Sequence, residues 1–192
     1  HCPNHTPMKI ILASKSPRRK ELLLQAGFDI EIFHKEVDES FPESMPVEDV
    51  AEYLAVKKAL ACTEILTDDK ILLSADSVVI LNGKIYGKPT DAEDAVRILK
   101  ELSGNEHTVI TGVCLKTPSK QLSFSGISKV RFGRLSDDEI RYYITTCRPF
   151  DKAGAYGVQD WIGLCKIESI TGTYSNIMGL PVNLVYEHLK KF

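Results

Sequence analysis

The sequence predicts an α/β fold, on three observations. Short apolar or β-branched runs alternate with segments of helical periodicity along the chain. Two long stretches rich in β-branched or alternating residues, His107 to Lys116 and Gln121 to Phe132, follow one another as paired strands do. Pro17, Gly27, Pro42, Pro46, Asn82-Gly83, Ser103-Gly104 and Gly179 punctuate the junctions between these segments.

The elements follow in order. Lys9 to Ala13 reads as a strand, and the loop S-K-S-P-R-R leads into a helix whose leucines, between Lys20 and Ala26, share a face before Gly27. Phe28 to Phe33 is a second strand, followed by the acidic stretch E-V-D-E at Glu36 to Glu39. From Val47 to Leu66 the residues Val50, Leu54, Ala55, Ala59 and Cys62 fall on one side, which predicts one long helix carrying Lys57 and Lys58. Ile71 to Leu73 and Ser77 to Leu81 are a strand pair or one interrupted strand around Ala75-Asp76, and Asn82-Gly83 marks a hairpin. Gly87-Lys88-Pro89-Thr90 precedes a helix from Asp91 to Leu102, stopped by Ser103-Gly104. After the two long strands, Ser136 to Glu139 is a capping box that opens a helix through Thr145. The glycine-rich stretch D-K-A-G-A-Y-G-V-Q-D, a strand from Leu164 to Ile170 and a helix from Leu180 to Lys190 complete the series.

With 192 residues, 43% of them apolar, the chain can build one substantial core or two lobes sharing a sheet, and one domain is the simplest reading. A formal net charge of -2 supplies no global field toward nucleic acid or anionic lipid, so an anion site must be local. No apolar run approaches the roughly 18 to 20 residues that span a bilayer, and the expected location is the cytoplasm, without a membrane or nucleic-acid partner. Residues 1–8 have no periodicity and read as an upstream extension or a cloning remnant, outside the domain at 9–192. The five cysteines are odd in number and lack C-x-x-C spacing, which suits free thiols, several of them buried, rather than zinc or a disulfide framework.

Four groups of residues could do chemistry. Ser14, Ser16, Arg18 and Arg19 stand on a strand-to-helix turn, where unpaired backbone N–H groups and the helix dipole favour an anion. Two hydroxyls and two guanidinium groups would complete a polyphosphate cradle, although the same turn could be a capped helix with solvated arginines. Asp76 interrupts the apolar run L-L-S-A-D-S-V-V-I, where a carboxylate must be paired, hydrogen-bonded or metal-bound. Asp38, with Glu36 and Glu39, is a second carboxylate source, and oxygen ligands of this kind suit Mg²⁺. Lys58 and Lys88 are candidates to neutralise phosphate. His34 and His107 read as ordinary loop or strand histidines. The segment G-K-P-T lacks the spacing of a Walker A loop, which disfavours a P-loop enzyme.

In order along the chain, L-A-S-K-S-P-R-R (12–19), E-V-D-E (36–39), Y-L-A-V-K-K-A (53–59), S-A-D-S-V-V (74–79), G-K-P-T-D-A-E-D-A (87–95), L-S-G-N-E-H-T-V-I-T-G-V (102–113), D-K-A-G-A-Y-G-V-Q (151–159) and G-L-P-V (179–182) resemble the Maf family of nucleoside triphosphate pyrophosphatases. The resemblance implies an inosine triphosphate pyrophosphatase-like fold, a mixed elongated sheet flanked by helices, with two lobes and a central cleft. It implies release of pyrophosphate from a nucleoside triphosphate with the help of a divalent cation, Mg²⁺ or Mn²⁺, and a homodimer. Carried over by motif, Asp76 is the catalytic proton acceptor, and Asp38 and Asp76 are the metal ligands. Ser14, Arg18, Arg19, Lys58, Lys88 and Lys152 bind substrate.

The glycine-rich segment resembles the branch that acts on dTTP and UTP, with Arg18, Ser77 and Gln159 as specificity positions. A glutamine amide offers the donor and the acceptor that a thymine or uracil imide edge requires. Ser74 and Ser77 stand where the pattern has glycine and threonine, and Asp160 stands where glycine commonly follows the glutamine. The alternative is a nucleotide-binding regulator of cell division that needs no turnover.

Overall fold

The computed structural model describes residues 9–192, so the reading of residues 1–8 lies outside the described part. Seven strands form one mixed sheet in the order β2-β1-β3-β5-β6-β7, with β4 paired to β3. Their ranges are β1 Lys9–Leu12, β2 Ile30–Ile32, β3 Lys70–Leu81, β4 Lys84–Tyr86, β5 Glu106–Lys116, β6 Gln121–Phe132 and β7 Ile167–Thr171. The helices are α1 Pro17–Gln25, α2 Val50–Leu60, α3 Ala92–Leu102, α4 Asp137–Cys147, α5 Trp161–Cys165, α6 Tyr174–Met178 and α7 Val182–Lys191.

The chain divides into two compact units. One holds the described residues up to Asp76, with Thr111–Gly126 and Gly179–Phe192, and the other holds Ser77–Ile110 and Ile127–Met178. In the first, β1 runs parallel to both β2 and β3. Its Ile10, Ile11 and Leu12 are all buried, as a strand covered on both faces requires. Ala55, Ala59 and Cys62 pack with Ile11, Leu72 and Cys114 to form this core. Burial pushes the Cys114 thiol up to about 11 and raises that of Cys62 as well.

In the second unit α3 turns Ala95, Val96, Ile98, Leu99 and Leu102 inward, against a core that includes Phe132, Ile140, Tyr143, Tyr156 and Ile162. Each large aliphatic side chain buried here stabilises the fold by about 1.5–3 kcal/mol relative to exposure. His107 is one of the polar residues of this interior. Its Nε2 lies 2.6 Å from Tyr156 Oη, its ring meets Phe132 edge-on, and Nδ1 has no hydrogen-bond partner among the described residues. Burial lowers the His107 pKa to about 4, so the ring is neutral near pH 7.

Local chemistry explains most boundaries. Ser16 accepts from the Arg19 N–H and Pro17 takes the first turn of α1. Asp91 caps α3, and both halves of the Ser136/Glu139 capping box form at α4. Asn82 and Gly83 both adopt positive φ, 53° and 76°, which joins β3 to β4 through a tight turn. The expected strand pair or interrupted strand around Asp76 is one continuous strand of twelve residues.

Two expectations change. The long helix from Val47 to Leu66 is instead a 3-10 turn at Val47–Asp49, then α2, then a second 3-10 turn at Thr63–Ile65. Past Ala61 the backbone tightens to i→i+3 bonds, Cys62 to Ala59 and Ile65 to Cys62, as the buried Cys62 packs inward. The strand expected at Leu164 starts at Ile167, because Gly163 and Leu164 donate to Asp160 O and close the short helix α5. Pro181 likewise delays α7 from Leu180 to Val182. No helix among the described residues is long and apolar enough to cross a membrane.

Candidate active site

In the first unit, four segments bring charge together around the end of β3's first half. Asp76 is 9% exposed, and its Oδ1 accepts from Lys58 Nζ at 2.8 Å. Lys58 Nζ also lies 3.9 Å from Glu39 Oε2. One ammonium therefore bridges the strand carboxylate and the acidic loop. Lys57, beside it on α2, pairs with Asp38 at 3.6 Å and donates to Ser40 O at 3.0 Å. Two bonds from Ser40, and then the Lys57 charge, hold the exposed Asp38 carboxyl below its ordinary range.

The S-K-S-P-R-R turn adds its cations nearby. Ser14 Oγ accepts from Ser16 N–H at 3.1 Å and from Arg19 at 3.4 Å, and Arg19 Nε donates to Gly179 O at 2.7 Å. Burial lowers the Arg19 pKa below its ordinary value and the adjacent Arg18 charge lowers it further, against the opposing pull of Asp76 and Glu39. Lys15 reaches Glu36 at 3.1 Å, a contact shared with His34. Thus the strand-to-helix turn and the acidic loop, remote in sequence, face the same cluster.

α2 is held so that its lysines reach β3. Gly112 on β5 lies so close to α2 that a Cβ there would overlap the backbone of Ala51 and Glu52. Ser74, the hydroxyl at a position where the family pattern has glycine, is fully buried and donates to Ala55 O at 2.6 Å. Ser123 and Ser125, on one face of β6, both donate to Glu52, at 2.8 and 3.1 Å.

The second unit assembles a different set. Ser77 follows Asp76 on β3 and is half-buried, and Lys88 is exposed on its loop. The Gly154 N–H donates to Gly87 O at 3.2 Å, and a Cβ on Gly154 would meet Val79 Cγ2 at 2.8 Å. The glycine-rich loop therefore lies directly on β3 and beside the Lys88 loop. Its Lys152 keeps only 14% of its side chain exposed and pairs with Asp151 at 3.0 Å. Gln159 projects from the loop into solvent. Asp160 accepts from Tyr143 Oη at 2.7 Å.

The sequence-predicted residues thus fall into two groups. Asp76, Lys58, Ser14, Arg18, Arg19 and Asp38 belong to the first unit, and Ser77, Lys88, Lys152 and Gln159 to the second. Sequence reasoning chose Asp38 as the second carboxylate, whereas the one sharing Lys58 with Asp76 is Glu39. No signal within E-V-D-E separates the two, since both are exposed loop acids. Among the described residues no group of three or more His, Cys, Asp or Glu side chains forms a metal cage. The oxygen pair of Asp76 and Glu39, already gathered around one cation, fits the manner in which Mg²⁺ takes one or two carboxylates plus substrate phosphates.

A profile of the Maf-like protein family matches residues 9–192. The chain is 47% identical over 184 residues to a dTTP/UTP pyrophosphatase of Phocaeicola vulgatus, covering 95% of each chain, and 48% identical over the same length to one of Bacteroides thetaiotaomicron, again covering 95% of each. In fold it is similar to the Staphylococcus aureus Ham1 protein, with a TM-score of 0.56 and 16% identity over 95% of this chain and 98% of that one. The mixed sheet with flanking helices therefore shares its fold with that protein. With the signature segments lying in these two clusters and the match running from β1 to the last residue of the chain, this chain belongs to the Maf family.

Proposed function

We propose that this chain is a cytoplasmic nucleoside triphosphate pyrophosphatase that hydrolyses dTTP and UTP, modified pyrimidine nucleotides among them, to the monophosphate and pyrophosphate. The observation that carries the reading is Asp76, a carboxylate in an apolar strand, held by Lys58 at 2.8 Å. Such a group is neutralised while the site waits and becomes a base once an anion, the triphosphate, draws its lysine partner away. The shared name of relatives at 47% and 48% identity supports the same chemistry and the pyrimidine substrates.

Water attacks the α-phosphorus in line with the α–β bridging oxygen, that bond breaks, and pyrophosphate leaves with the bond's electrons. Asp76 takes the proton from the attacking water. Lys58 holds Asp76 in the substrate-free state and turns to a phosphate oxygen when the triphosphate arrives. Ser14, Arg18, Arg19, Lys88 and Lys152 offset the remaining charge on the triphosphate. Arg18, Ser77 and Gln159 read the base, the last through its amide. Asp76, with Glu39 or Asp38, would hold Mg²⁺ or Mn²⁺, which supplies charge neutralisation across phosphate oxygens. The active species is a homodimer, and light scattering at working concentration reads its mass.

Pyrophosphate release from dTTP, UTP, CTP, dATP, GTP and 7-methyl-GTP, with and without Mg²⁺ or Mn²⁺, tests the reading. Metal-dependent cleavage of dTTP and UTP, lowered by about 10²- to 10⁴-fold in Asp76→Asn, is the expected result. Absence of cleavage of every triphosphate under both metals would overturn it in favour of a binding regulator.

A further inference from the structure

The segment that carries Gln159 is a closed turn with an unusual anchor. The Asp160 N–H donates to Gly157 O at 3.1 Å, which puts Val158 and Gln159 at the two central positions of a β-turn. Val158 is buried and Gln159 is exposed. Both ends of the turn are also tied to one atom, the hydroxyl oxygen of Tyr143. It accepts from the Gly157 N–H at 2.9 Å and donates to Asp160 Oδ2 at 2.7 Å. Tyr143 is fully buried on α4, so the anchor is part of the core. Burial, then the Asp160 hydrogen bond, raises its pKa, which keeps the hydroxyl a donor across the working pH range.

Asp160 stands at the N-cap of α5, where an aspartate ordinarily accepts from the N–H groups of the following turn. Here its side chain makes no cap bond, and the carboxylate is given to Tyr143 instead. A Cβ on Gly157 would meet Asp160 Oδ2 and Lys152 Cε, each at 2.8 Å, so a side chain there would push the carboxylate away from Tyr143.

We propose that Tyr143 and Asp160 are positioning residues for base discrimination, fixing from both ends the turn that presents the Gln159 amide to the base. This rests on the reading of Gln159 as a base-contacting residue. Uracil presents a carbonyl acceptor beside an N–H donor, and cytosine presents the reverse, an amino donor beside a ring-nitrogen acceptor. A glutamine on a wandering turn can rotate its amide to suit either. On a turn held at both ends, with its other central residue buried, it is limited to one. The clamp therefore contributes to the choice between bases more than to the hydrolysis of a bound triphosphate.

The test compares kcat/KM for UTP and CTP, with melting temperatures, in the unaltered protein and in Gln159→Ala, Tyr143→Phe, Asp160→Asn, Asp160→Gly and the double variant Tyr143→Phe/Gln159→Ala. Tyr143→Phe and Asp160→Gly are expected to lower the UTP-to-CTP ratio by about tenfold, the loss falling on KM for UTP more than on kcat. Asp160→Asn keeps an oxygen acceptor for Tyr143 and is expected to restore most of the ratio. The double variant is expected to discriminate no worse than Gln159→Ala alone. If Gln159→Ala collapses the ratio while Asp160→Gly leaves it intact, the clamp has no such role. If Gln159→Ala itself changes nothing, the base-reading role fails, and the clamp proposal falls with it. Should Tyr143→Phe not fold, Asp160→Gly decides the matter, because its site lies on a half-exposed turn.

Discussion

The Asp76 cluster of the first unit and the Gln159 turn of the second are built by opposite means. Around Asp76 the partners are full charges, with Lys58 at 2.8 Å from Asp76 and 3.9 Å from Glu39, and Arg19 beside them. Around Gln159 the supports are one buried hydroxyl set between the Asp160 carboxylate and the Gly157 N–H, and a loop whose Gly154 lies against Val79. Charges that are already compensated can exchange partners when a polyanion arrives, so the first region suits binding and proton transfer. A turn locked by geometry cannot exchange partners cheaply, so the second suits discrimination. Breaking the first should cost turnover, and breaking the second should cost selectivity or stability.

The largest break is expected at Lys58. Lys58→Met is expected to lower kcat/KM for UTP by about 10²- to 10³-fold in a steady-state assay, and also to lower the melting temperature, because Asp76 then keeps a nearly buried charge without its partner. The double variant Lys58→Met/Asp76→Asn should recover the melting temperature without recovering activity. Recovery of activity as well would show that the pair is structural only.

On the geometric side, Gly154→Ala asks a residue with a side chain to adopt φ of 72° and to displace Val79 Cγ2 from 2.8 Å. A loss of about 3 kcal/mol in denaturant unfolding is expected. Turnover per folded molecule should change less than in Lys58→Met. An effect below about 1 kcal/mol would mean that the loop moves freely off β3.

His107 gives the second unit a pH dependence of its own. Its pKa falls from 6.5 in the unfolded chain to about 4 in the fold, so the folded state binds fewer protons through this window. The stability it carries is complete above about pH 6.5 and is lost as pH drops toward 4, about 3 kcal/mol in all. Unfolding free energies measured from pH 7 to pH 4 should fall more steeply in the unaltered protein than in His107→Gln. Parallel curves would contradict the neutral, buried ring.

The smallest effect belongs to Ser74. Ser74→Ala leaves the Ala55 carbonyl without its 2.6 Å donor and should cost about 1 kcal/mol of stability by chemical denaturation. A fall in kcat would accompany it if this bond also sets the reach of Lys58. Unchanged kcat would leave Gly112 and Glu52 as the contacts that place α2.

Much of this was legible in the sequence because it is local. The Ser16 cap, Pro17 in the first turn, the Asn82-Gly83 hairpin and the Ser136/Glu139 box each lie within four residues, and each forms. Asp76 stood out because a carboxylate in an apolar strand must be answered by something, and the chain answers it with Lys58. The pairing of that lysine with Glu39, and of Lys57 with Asp38, was not legible, since loop conformation decides it. Equally hidden was the Tyr143–Asp160 bond, which spans 17 residues and diverts an N-cap aspartate from its usual local role. That diversion also explains the misplaced strand start, because an aspartate followed by W-I-G-L-C carries no strong helix signal without a side-chain cap.

Cys62 and Cys114 lie in the core of the unit that contains Asp76, and burial holds both thiols above their ordinary range. With Cys114 pushed up to about 11, only on the order of one molecule in 10⁴ carries its thiolate at neutral pH. It is the thiolate that attacks peroxides and disulfide reagents, so the packing beneath β3 is chemically quiet where a surface cysteine would be modified.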